Sequence, residues 1–210
     1  MQDAANFILM YLVFPLWVVA GFADWFCHLR TNIATSSGIR ENLLHWVMYA
    51  EIGVGMAAVA FLEVNAAVLL IVMMVFLVHE LTVYWDLEYS TVLRDVAPGE
   101  QMVHSFLELL PLLSLALLAV VHWPQALAVF GGGSEMADWS LRLKEQPLPE
   151  FYLQVALGAT VLFNALPLLQ ETASCLMSMS RPRRRAAVPR VEPKLEPDLK
   201  ARTPATPAPK

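Results

Sequence analysis

The chain has 210 residues, 57% of them hydrophobic, a mean hydropathy of +0.52 and a formal net charge of −5. So apolar a composition excludes an ordinary water-soluble domain, and no nucleic-acid partner is expected. The net charge says little more, because the basic residues are unevenly placed.

Residues 1–5 form a short polar lead. Five apolar runs follow, near 6–27, 43–63, 65–85, 102–123 and 151–171, each of the length that crosses a hydrocarbon layer of ~30 Å. The expected fold is therefore all-α: a polytopic integral membrane bundle over residues 1–177, with four of its five helices forming a metal-binding bundle. The first run has neither a basic leader nor a small-residue cleavage site, so it reads as a retained helix. Pro15 within it predicts a kink. Cys27 and Cys175 fall near the same membrane face, where a disulfide is not expected. Ser37 is placed to cap span two, and Gly53 and Gly55 within that span are placed for close helix contact. Only Glu63-Val64-Asn65 separates spans two and three, which predicts an antiparallel hairpin. Residues 86–99 extend span three or lie along the surface, and Pro98-Gly99 ends that segment. The 124–150 stretch, with three consecutive glycines, predicts irregular structure with a short amphipathic piece at 135–145. Residues 178–210, rich in Pro, Ala, Lys and Arg, are expected to be disordered.

The Arg181, Arg183, Arg184, Arg185 cluster after span five should remain cytoplasmic, which puts the N-terminus outside. Arg30, Arg40 and Arg94 then fall inside, whereas Arg142 and Lys144 fall outside and argue against it. The expected location is an integral membrane, the bacterial inner membrane, with the lipid bilayer as first partner.

Chemistry enters with the histidines. Three of the five follow a carboxylate by four residues: Asp24/His28, Glu41/His45 and Glu100/His104. On a helix, residues i and i+4 share a face. His79 and Asp86, seven apart, also share one. In the expected topology these pairs close span one, open span two, close span three and open span four, so all four reach one membrane face. Burying so many ionisable groups is costly unless they pair or bind something. The expected metal ligands are thus Asp24, His28, Glu41, His45, His79, Asp86, Glu100 and His104. Glu51, Glu80, Arg94 and Glu108 are expected around them: Glu108 continues the Glu100/His104 stripe, Glu80 points off the His79 face, and Arg94 balances carboxylate charge. His122, beside Trp123 at the opposite end, reads as interfacial.

Carboxylates from four helices joined by histidines resemble the ferritin-like di-iron bundles, here placed in a membrane. The resemblance implies two metal ions, iron first, with zinc or manganese as alternatives. It departs from that family in its Glu-x-x-x-His spacing and in drawing histidine from three or four helices. Membrane desaturases and hydroxylases share the hydrophobic setting, but their His-x-x-His-His boxes are absent. With iron, the expected function is a membrane metalloenzyme that oxidises a hydrophobic or lipid substrate with electrons from a donor; with zinc, it is hydrolysis. Two rivals remain open. One is a non-catalytic membrane subunit or proton-handling protein whose acid/imidazole pairs lock helices together. The other is a b-type haem protein held by His45 and His104, which the surrounding carboxylates oppose.

Overall fold

The computed structural model describes residues 2–180. Among them, five helices are long and apolar enough to cross a membrane: α1 (Asp3–Thr31), α2 (Ile39–Phe61), α3 (Ala66–Leu93), α4 (Pro98–Val121) and α6 (Glu150–Ser180). A short helix, α5 (Trp123–Val129), follows α4. No strand forms among the described residues, and one isolated antiparallel bridge joins Leu62 to Leu143. Helices suit such sequences because each satisfies its own backbone polar groups, which lipid cannot do.

The helices run beyond the expected spans, and the overrun builds the site. α1 continues to Thr31 and carries His28, α3 continues to Leu93, and α6 continues to Ser180 past Glu171. The 178–210 tail expectation lies outside the described residues from 181 onward. α1 and α6 each contain one wide π-type turn, at Leu9–Val13 and Val161–Ala165. In α1 it directly precedes Pro15, whose missing N–H breaks the regular ladder.

Several local expectations are replaced. Gly38, not Ser37, caps α2, with φ 71 and no side-chain cap hydrogen bond. A Cβ on Gly53 would meet nothing, and one on Gly55 would make only ordinary contact with Val75. The close approach is at Gly21, where an added Cβ would stand 2.1 Å from Asn164 Nδ2. The 135–145 piece is irregular, as expected, with a single bridge residue, Leu143. It straps the α2–α3 hairpin: Glu63 N donates to Arg142 O, Lys144 N to Phe61 O, and Ala67 N to Asp138 O. Asn65 Nδ2 completes the strap by donating to Ser140 O.

Burial is inverted relative to a soluble protein. Large apolar residues such as Val19, Leu81 and Val120 lie exposed on the helix faces, while His28, Glu41 and Glu100 are the largest fully buried side chains. A compact apolar core of Val13, Trp17, Val18, Ile52 and Leu110 lies in the middle of the bundle. The polar groups collect at the end where α1, α3 and α6 finish and α2 and α4 begin.

Candidate metal centre

The i, i+4 spacing delivers Asp24 and His28 from the last turns of α1, and Glu100 and His104 from the first turns of α4. One ligand-type atom from each of these four lies within 4.8 Å of the others, and the same holds for His28, Glu41 and His45. Ligand atoms ~2.1 Å from a shared ion stand roughly 3.0–3.5 Å apart, so this spacing can accommodate a metal.

A residue that the histidine spacing could not reveal organises the cluster. Glu171, on α6, accepts a hydrogen bond from His28 Nδ1 on Oε2 (2.9 Å) and a longer one from His45 Nδ1 on Oε1 (3.4 Å). Gripped by one carboxylate, the two imidazoles stack with centroids 4.6 Å apart and planes within 5°. Glu171 is itself fixed by Asn42, whose Nδ2 donates to Oε1 at 2.8 Å. Asn42 Oδ1 accepts from Thr172, whose hydroxyl accepts from Trp46 Nε1. The only sequence signal was indirect: Glu171 is the sole acid between residues 151 and 180.

A carboxylate can only accept, so Glu171 places the proton of each neutral ring on Nδ1 and leaves Nε2 as a bare lone pair. His28 Nε2 then faces Asp24 Oδ1 at 3.5 Å and Glu100 Oε1 at 3.6 Å. His45 Nε2 faces Asp86 Oδ1 at 3.5 Å. His28 Nε2, Asp86 Oδ1 and Glu100 Oε2 are all buried without a hydrogen-bond partner. Lone pairs turned toward one another in a dry interior repel unless a cation lies between them. Carboxylate–imidazole pairs that present Nε2 are how proteins orient histidine toward metals.

The other expected residues divide. His104 Nε2 donates to Asp24 Oδ1 at 2.9 Å. Arg94 spans two carboxylates, its Nη2 donating to Glu41 Oε1 at 2.6 Å and Glu100 Oε1 at 2.5 Å. Burial disfavours its charge, but these hydrogen bonds outweigh that and hold Arg94 above the ordinary guanidinium value. His79 stands apart from both groupings. Its Nδ1 donates to Glu51 Oε2 at 3.2 Å, and Thr82 Oγ1 donates to Glu51 Oε1 at 2.8 Å. Asp86, expected to pair with His79, meets His45 instead. Glu108 lines the cavity beside the cluster, and Glu80 buries an Oε1 that has no partner. Both cysteines are free, and neither belongs to the groupings.

Asp24, Glu41, Asp86, Glu100 and Glu171 are five carboxylates set against one guanidinium, Arg94. With neutral imidazoles the cluster carries four uncompensated negative charges, which protons on the imidazoles or bound cations would offset. Comparison with known proteins adds no identity to this geometry: the chain matches no protein-family model, no curated protein and no solved structure.

Proposed function

We propose that the cluster is a two-ion metal centre of a membrane-embedded oxidoreductase acting on a hydrophobic substrate. The carrying observation is that His28 Nε2, buried and without a hydrogen-bond partner, faces the oxygens of Asp24 and Glu100, while His45 Nε2 faces the partnerless Asp86 Oδ1. Asp24, His28, Glu100 and His104 would hold one ion; His45 and Asp86, with Glu41 adjacent, would hold the other. Two divalent cations would balance the four excess charges. Glu171 orients the imidazoles, and Arg94 holds Glu41 and Glu100 in place. His79, Glu51 and Thr82 serve as a self-contained hydrogen-bonded trio beside the centre.

A donor set rich in carboxylate with some imidazole favours iron or manganese over zinc. Iron in such a setting supplies O2 activation, and the protein's part is to fix the ligands, exclude water and present the substrate. A cavity lined by Asp24, His28, His45, Asp86 and His104 continues into Trp17, Tyr49 and Ile52. Polar groups at one end and apolar walls beyond suit a hydrophobic substrate. By the positive-inside rule, Arg30, Arg40 and Arg94 favour the cytoplasmic leaflet for the centre, where a soluble electron donor would reach it.

The test is metal content by mass spectrometry on detergent-purified protein, wild type beside His28→Ala/His104→Ala. About two equivalents of iron or manganese in wild type, lost in the variant, are expected. A wild type that binds no metal even after reconstitution would overturn the reading and leave acid/imidazole pairs that lock helices or handle protons.

A further inference from the structure

Beyond the ligands, the cavity has a polar feature that the metal centre does not use. Asn164 sits in the π-type turn Val161–Ala165 of α6, more than nine-tenths buried, and lines the cavity wall. Its Nδ2 donates to Val18 O of α1 at 3.3 Å, which fixes the orientation of the amide. Its Oδ1 is buried and has no partner. The arrangement needs two departures from regular packing. A wide turn in α6 carries the side chain inward, and Gly21 supplies the gap, since a Cβ there would strike Asn164 Nδ2. π-type turns within α-helices recur at functional sites. A buried acceptor without a partner costs free energy until a donor reaches it.

The cavity measures about 130 Å³, close to the ~150 Å³ of apolar space that accepts a benzene-sized guest. Trp17, Tyr49, Ile52 and Leu107 give one part of it apolar walls, with the partnerless Asn164 amide oxygen belonging to a residue among them, while the acids and imidazoles of the cluster line the rest. We propose that this cavity binds an apolar alcohol, its hydrocarbon body against those four side chains and its hydroxyl donating to Asn164 Oδ1. The inference rests on the metal-centre reading only for what happens to the alcohol after it binds. Asn164 acts as a binding and positioning group: it lies seven residues before Glu171 on the same helix, so an alcohol held there has its hydrocarbon body within the cavity that the cluster closes.

The test is photolabelling of the full chain in lipid nanodiscs with a diazirine-bearing hexanol, the modified peptides being mapped by mass spectrometry. Label is expected on peptides containing Trp17, Tyr49 or Leu107, competed at least tenfold better by hexanol than by hexane. Leu107→Trp, which fills the cavity, should remove this label without lowering metal content. Asn164→Leu should abolish the preference for hexanol over hexane. Label confined to lipid-facing positions such as Val19 and Val120, or equal competition by hexane in wild type, would overturn the proposal. Because the competition result stands on its own, selective label in a protein that binds no metal would uphold the alcohol site and sink the metal centre. Stoichiometric metal with non-selective label would do the reverse.

Discussion

Two buried acid–imidazole assemblies lie within this bundle, and they are built on opposite principles. Around His79, the imidazole and the Thr82 hydroxyl both donate to Glu51, and each carboxylate oxygen receives a proton donor. Around His28 and His45, Glu171 takes up the Nδ1 side of both rings, and His28 Nε2, Asp86 Oδ1 and Glu100 Oε2 are left without a partner. A closed assembly is complete without a ligand; an open one is completed by a further proton or a cation. Hydrogen-bond satisfaction, more than residue type or depth, separates a structural pair from a candidate metal site.

The contrast can be broken by substitution. The largest effect is expected for His28→Ala, which removes the ring shared by both groupings: bound metal should fall below about a tenth of wild type, read by elemental analysis. Arg94→Met should come next. It leaves Glu41 and Glu100 buried without their cation and should cost about 3–5 kcal/mol in the metal-free protein, by denaturant unfolding in detergent. Metal-loaded Arg94→Met should recover part of that loss, whereas equal losses in both states would argue that no cation enters. Glu171→Gln keeps the shape but frees the imidazoles to turn, and should weaken metal binding by ~10–100-fold in a competition titration.

His79→Gln should leave metal content unchanged and cost about 1 kcal/mol of stability; loss of metal there would erase the distinction between the two assemblies. The smallest effect is expected far from both. Burial, and after it Lys144, hold His122 below the ordinary imidazole value. As pH falls through about 6.5 the unfolded chain takes up that proton before the folded one does, so the folded state loses stability on the acid side. His122→Gln should flatten thermal unfolding between pH 7.5 and 5 without altering metal content.

The bundle was legible because lipid leaves few options: runs of about 20 apolar residues can only be helices. Much of the cluster was legible for a related reason. The i, i+4 spacing is a local rule, and it correctly joined Asp24 to His28 and Glu100 to His104. What the sequence could not supply was the pairing between helices. His79 and Asp86 share a face of α3 in principle, yet two residues of the neighbouring α2 claim them separately, Glu51 for one and His45 for the other. Glu171 has no histidine four residues away, so that spacing does not point to the group that orients both rings. Nor does it point to Gly21, because its role depends on Asn164, 143 positions later.

The inverted burial carries a consequence for how this chain can change. Positions such as Val19, Leu81 and Val120, exposed on the outer helix faces, ask only for greasiness. In a bilayer they should exchange freely among Leu, Ile, Val, Phe and Met, since lipid tails would discriminate little between them. The interior has no such latitude, because each buried oxygen and nitrogen there depends on a particular partner. Selection on this protein would therefore write its record inward, in a narrow set of acids, imidazoles and amides, beneath an outer coat whose spelling can drift.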